Sequence, residues 1–122
     1  MTISIANLIK HYWQSLTLLM LVLITVTSLF PVEHLPAAPG NDKTHHFIAY
    51  CILMLPVALR RPKYWLVFAL CFIIYSGLIE LIQPYVNRYG EWLDMAANAG
   101  GVVIAIVITQ VFILLRPKKK VA

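Results

Sequence analysis

Four long runs of apolar residues dominate the chain, and short polar or Pro- and Gly-containing breaks separate them. The runs cover residues 12–30, 44–59, 64–84 and 93–115. A helix needs about 20 mostly apolar residues to cross ~30 Å of hydrocarbon, and the second run, at 16 residues, reaches only roughly 24 Å. The pattern predicts a compact bundle of four transmembrane helices in a single domain, 1–122; a re-entrant second segment is the alternative.

Composition and charge place this bundle in a membrane and orient it. The chain is 61% hydrophobic and 12% charged, with a mean hydropathy of +0.79, which is too apolar for a soluble domain. Most basic residues fall in alternate connections, and only Lys43 and Arg88 lie opposite them. By the positive-inside rule both termini are cytoplasmic, including the basic tail 116–122. The formal charge of +5 is then dipolar across the bilayer, and no nucleic-acid partner is expected.

Polar residues of the apolar runs concentrate at one level of the predicted bundle. In an up-and-down bundle the second and fourth helices begin where the third ends. His46, Glu80 and Asn98 then lie about 6 Å inside that end, at ~1.5 Å of rise per residue. Helical spacing sorts the residues into three stripes, Asp42/His46, Glu80/Gln83 and Asp94/Asn98/Gly101. Facing lipid would leave these groups unsatisfied, so an outward-opening polar pocket inside the bundle is predicted.

The pocket's chemistry is best suited to an anion. Two helix N-termini, with Lys43 and Arg88, favour a phosphate or carboxylate at the outer headgroup level. The candidate binding residues are Asp42, Lys43, His46, Glu80, Gln83, Arg88, Asp94 and Asn98. Gly77 and Gly101 are predicted to serve helix packing.

Other chemistries remain open or are disfavoured. His46 and Glu80 are candidate acid/base groups, but no nucleophile sits in a catalytic motif, so the sequence does not decide whether the protein is an enzyme. A metal site from His46, Asp42 and Glu80 has suitable ligands, but Lys43 and Arg88 would repel a divalent cation. We therefore expect no metal or other cofactor. The alternative is purely structural. Asp42 and Asp94 would then be simple helix N-caps in a network that only holds the helices together.

The ordered motifs Asp42-Lys43-x-x-His46-Phe47, Gly77-x-x-Glu80-x-x-Gln83 and Arg88 followed by Asp94-x-x-x-Asn98-x-x-Gly101 resemble the VanZ-like family. The similarity covers about residues 27–105, and Ala105 stands where a further Gly is common. The resemblance implies a small multi-pass protein of the bacterial cytoplasmic (inner) membrane. The family is named for a member that accompanies glycopeptide-resistance genes and lowers teicoplanin susceptibility, and no particular reaction is implied.

Three functions follow as expectations. The first is a VanZ-like protein that binds or modifies an anionic envelope lipid, a lipid-linked wall precursor or a lipophilic glycopeptide, with a possible antibiotic-resistance link. The second is an enzyme acting on a lipid-linked substrate at the same site. The third is a scaffold whose polar network only fixes helix packing. Membrane lipid is the expected partner, and the oligomeric state is not readable from the sequence.

Overall fold

A computed structural model describes residues 4–29, 42–86 and 92–115, in which helices are joined by short turns and no strand occurs. The elements are α1 (Ile5–His11), α2 (Trp13–Leu29), α3 (Asp42–Arg60), α4 (Trp65–Ile82), a short 3-10 helix (Gln83–Val86) and α5 (Trp92–Leu115). The all-α prediction is confirmed, and the four predicted apolar runs correspond to α2, α3, α4 and α5.

Two segments are long and apolar enough to span a membrane, Trp65–Tyr85 and Leu93–Leu115. The pair Ile5–His11 and Trp13–Leu29, bent by 80°, passes the same test when the two are taken together. Thr44–Arg60 is a shorter apolar helix. Two to three candidate spans are thus consistent with a membrane protein, while the fourth span and the orientation of the termini stay predictions.

The short helix α1 has no counterpart in the predicted elements. It begins after Ser4, whose hydroxyl oxygen accepts a hydrogen bond from the Asn7 backbone N–H at 3.1 Å, the usual N-cap arrangement. Ile5 and Leu8 are exposed on its surface. A helix of seven residues makes only about two turns, too short for a clear 3.6-residue hydrophobic pattern.

Contacts at the two ends of the bundle establish the helix directions. At one end the Gln83 side-chain amide donates to the Ser28 carbonyl at 3.0 Å, which joins the last turn of α2 to the 3-10 helix that directly follows α4. At the other end the rings of Trp13 and Phe68 pack edge to face, 5.8 Å apart, so α2 and α4 run in the same direction. Polar atoms of Glu80, in the last turn of α4, lie within 4.8 Å of atoms of His46 and Asp94, so α3 and α5 begin at the level where α2 and α4 end. We call this level, marked by Leu29, Asp42, Ile82 and Trp92, the polar end.

Helices α3 and α5 run parallel and form the tightest pair. A Cβ atom at Gly101 would lie 2.3 Å from the Phe47 carbonyl oxygen and 3.0 Å from the Cys51 backbone nitrogen. The backbones approach this closely only because Gly101 has no side chain. Below this contact α3 occupies the centre of the core, where Leu53, Met54 and Val57 are fully buried.

The opposite end is fastened by Arg61, just after α3. Its backbone φ is 52°, and its N–H donates to the Val57 carbonyl at 2.8 Å, which closes the helix in a left-handed cap. Its guanidinium donates to the Gln110 side-chain oxygen on α5 and lies 4.6 Å from the centre of the Trp65 ring on α4. One side chain thus links three helices at this end.

Candidate functional site

Three ionisable side chains from three different helices meet at the polar end. His46 of α3, Glu80 of α4 and Asp94 of α5 each present one nitrogen or oxygen atom within 4.8 Å of the other two. The His46 Nε2 lies 3.9 Å from the Asp94 Oδ2. Glu80 is only 6% exposed and Asp94 5%, while His46 is partly buried. We call these three residues the histidine–carboxylate cluster.

The cluster follows from helix direction and periodicity. His46 and Asp94 both lie in the first turns of helices that begin at this end, and Glu80 lies in the last turn of the helix that finishes there. Asp94 is the third residue of α5 and so lies inside the helix, beyond the N-cap position. Its carboxylate faces His46 across the α3–α5 pair, so a simple N-cap does not describe it.

Two buried amides accompany the cluster on the same helix faces. Gln83, three residues after Glu80, is 1% exposed, and Asn98, four residues after Asp94, is 2% exposed. The Gln83 Oε1 and the Asn98 Oδ1 accept no hydrogen bond from the part of the chain that the structure describes. A buried amide oxygen without a donor is destabilising, so such atoms usually face a water, an ion or a ligand.

A line of hydroxyl groups extends from the cluster across the bundle. Tyr50, one turn after His46 on α3, is 1% exposed, and its hydroxyl lies near Glu80 and Tyr75. The Tyr75 hydroxyl in turn hydrogen-bonds to the Thr25 hydroxyl on α2. Sequence reasoning missed these residues, although the i, i+4 relation of Tyr50 to His46 was a signal that could have found it.

Small residues determine how closely the helices bearing the cluster approach. Gly101 contacts the backbone of α3, as described above, and a Cβ at Gly77 of α4 would lie 3.1 Å from the Met95 methyl carbon of α5. The contact at Gly101 involves rigid backbone, whereas the contact at Gly77 involves the end of a flexible side chain. The α3–α5 distance therefore has less freedom than the α4–α5 distance.

The remaining predicted site residues are Asp42, Lys43 and Arg88. Asp42 and Lys43 lie in the first turn of α3, but their side chains, like the whole of Arg88, are outside the described residues. The anion site expected from Lys43 and Arg88 therefore stays a prediction, as does the absence of a metal. The donor set that meets around His46 contains Asp94, whereas the set weighed from the sequence contained Asp42.

The Ser76 hydroxyl is already bonded within its own helix. Ser76, a fully buried residue of α4, donates its hydroxyl to the Ile73 carbonyl at 2.7 Å. Such back-bonding satisfies a serine locally. The imidazole and carboxylate groups of the cluster are suited to proton transfer, nucleophilic attack, hydrogen bonding and metal coordination.

Comparison with known proteins agrees with the motif resemblance and extends it. The sequence model of the VanZ/LLP1 family matches residues 2–114, nearly the whole chain. Searches among curated proteins and among solved structures find no match. The match runs from the helix that precedes the first apolar run to the last turn of α5, and it includes every member of the histidine–carboxylate cluster. The chain belongs to the VanZ/LLP1 family.

Proposed function

We propose that this protein lies in the bacterial cytoplasmic membrane and binds the phosphate-bearing headgroup of an anionic envelope lipid or lipid-linked wall precursor at its polar end. The observation that carries the proposal is the meeting of His46, Glu80 and Asp94, from three helices, where α3 and α5 begin. A buried ionisable cluster at the end of an apolar bundle is a functional-site signal, because such groups are costly in a membrane.

Depth and helix polarity support a headgroup as the ligand. The cluster lies within the first turns of α3 and α5, about 6 Å or less along each helix axis, near the level of headgroups. The N-termini of α3 and α5 carry partial positive charge toward that level. Lys43, in the first turn of α3, and Arg88, in the segment between α4 and α5, would supply the full charges that hold a phosphate.

The headgroup proposal is tested by measuring, with native mass spectrometry, how tightly lipids bind to the purified protein in detergent. Phosphatidylglycerol and undecaprenyl phosphate represent the two lipid sources, and zwitterionic phosphatidylcholine is the reference lipid. We expect the double variant Lys43→Ala/Arg88→Ala to bind its anionic lipid at least tenfold more weakly, about 1.4 kcal/mol. The matched control is Arg60→Ala/Lys63→Ala, which removes two basic residues at the opposite end. Equal binding by both double variants would reject the proposal.

The family's link to teicoplanin makes a lipophilic glycopeptide a third ligand for the same assay. Cells producing equal amounts of wild-type protein or Glu80→Gln can be compared for glycopeptide susceptibility and for lipid and precursor composition. A change in susceptibility with an unchanged lipid profile would favour a binding role for the polar end. No difference in either would leave the cluster a structural network in a scaffold.

A second candidate function, a lipid-modifying enzyme, is favoured by one distance. The His46 Nε2 and the Asp94 Oδ2 are 3.9 Å apart, with a Glu80 oxygen within 4.8 Å of both residues' ligand atoms. An imidazole beside two carboxylates can accept and deliver protons. Purified wild-type protein incubated with each lipid would then release a chemically changed product, and Glu80→Gln or His46→Gln would abolish it.

A further inference from the structure

We infer that the histidine–carboxylate cluster is a binding site for one divalent metal ion of the kind that accepts both nitrogen and oxygen ligands, such as Zn²⁺ or Mn²⁺. His46, Glu80 and Asp94 are the protein ligands. The inference goes beyond headgroup binding and stands without it, because it concerns the cluster alone.

The donor geometry is close to that of a single bound ion. Zinc binds nitrogen and oxygen at about 2.0–2.2 Å, so two ligand atoms on one tetrahedral ion lie roughly 3.3–3.6 Å apart. The His46 Nε2 and Asp94 Oδ2, at 3.9 Å, are a few tenths of an ångström beyond that range, and all three donor atoms lie within 4.8 Å of one another. Side-chain rotations that draw the donors together by up to about 1.5 Å would complete the site. Because the three ligands come from three helices, no sequence motif of the H-x-x-x-H kind is needed to bring them together.

Charge balance also favours a divalent cation. Two carboxylates within 4.8 Å, both about nineteen-twentieths buried, repel each other when ionised in a low-dielectric bundle. A divalent ion bound to two carboxylates and a neutral imidazole makes the group formally neutral. Carboxylate and imidazole together are ligands typical of zinc and manganese sites, whereas magnesium and calcium sites are built from oxygen ligands.

Two buried amide oxygens on the helix faces that carry the cluster are a second observation that points to a polar occupant of the bundle. The Asn98 Oδ1 and the Gln83 Oε1 lie in side chains that are 2% and 1% exposed and lack a donor among residues 4–29, 42–86 and 92–115. They share helix faces with Asp94 and Glu80, respectively. Three protein ligands leave coordination positions for water, and a metal-bound water donates the hydrogen bonds that these oxygens need.

Tyr50 lies one turn after His46 on α3 and near Glu80, so it accompanies two of the three proposed ligands. A bound ion would also convert an acidic cluster into a site that attracts phosphate. The ligand set contains neither Lys43 nor Arg88, the two residues weighed above as repelling a cation.

The inference is tested by measuring the affinity and stoichiometry of Zn²⁺ and Mn²⁺ by titration calorimetry. The sample is full-length protein in detergent, treated with a chelator and without added lipid. We expect one ion per chain, with at least about tenfold weaker binding in His46→Gln, Glu80→Gln and Asp94→Asn. The matched control is His45→Gln, which removes the neighbouring histidine of the same helix and should leave the affinity unchanged. Absence of stoichiometric binding to wild type, or an equal loss in His45→Gln and His46→Gln, would overturn the inference.

A second measurement needs only the wild-type protein, so it still tests the inference if the variants fail to fold. Pulsed electron paramagnetic resonance of the Mn²⁺-loaded protein should show coupling to one imidazole nitrogen. Bound Mn²⁺ without such coupling would overturn the proposed ligand set. Because lipid is absent from both experiments, metal binding without headgroup binding would reject only the proposed function, and headgroup binding without metal would reject only the metal site.

Discussion

Gly101 of α5 packs directly against the backbone of Phe47 of α3: a Cβ at Gly101 would lie 2.3 Å from the Phe47 carbonyl oxygen. Phe47 directly follows His46, and Gly101 lies two turns after Asp94 on the same face of α5. The contact therefore sets the helix separation on which the 3.9 Å distance between His46 and Asp94 depends. Helix packing and site geometry are determined together at this glycine.

Gly101→Ala should force α3 and α5 apart. The added methyl group meets backbone atoms that cannot rotate away, and overpacking of this kind typically costs about 1–3 kcal/mol. We expect a lower thermal unfolding temperature in detergent and weaker Zn²⁺ binding, because His46 and Asp94 separate. Gly100→Ala is the matched control, since its Cβ would meet only the Phe47 ring at 3.5 Å, an ordinary contact. Equal stability of the two variants would show that the helices adjust freely.

Arg61 offers a separate test of the opposite end. Its φ of 52° lies in the left-handed region, which costs a non-glycine residue roughly 1 kcal/mol. Arg61→Ala and Arg61→Gly both remove the bond to Gln110 and the stacking on Trp65, but only the glycine relieves the backbone. We expect Arg61→Gly to be the more stable variant, by about 1 kcal/mol. The reverse order in thermal unfolding would contradict the left-handed cap.

The predicted topology is tested with reporters fused along the chain. Alternation of the basic residues predicts that both termini and the Arg60–Lys63 turn lie in the cytoplasm. A fluorescent protein that matures only in the cytoplasm should therefore be bright at the C-terminus. Alkaline phosphatase, active only outside, should be active when fused after residue 37. Phosphatase activity at residues 37 and 122 together would indicate an even number of spans after residue 37 and would contradict the predicted three.

Periodicity and composition determined much of this protein before any tertiary contact was known. Four apolar runs predicted α2, α3, α4 and α5 to within a few residues, because membrane-facing helices must be continuously apolar. The i, i+4 spacing predicted that Asp94 and Asn98 face inward, because polar groups that face lipid find no hydrogen-bond partner. Both side chains are buried. The spacing of the motifs also identified the family.

Other features were decided only by the tertiary structure. Spacing along one helix pairs His46 with Asp42, but the described acids that meet it, Glu80 and Asp94, come from α4 and α5. Thr25 of α2 likewise meets Tyr75 of α4 only through the packing of the two helices. Periodicity fixes which face of a helix is buried, but the rotation and separation of two helices depend on contacts such as Gly101 against Phe47. The sequence therefore determined which residues turn inward, and packing between the helices decided which of them meet.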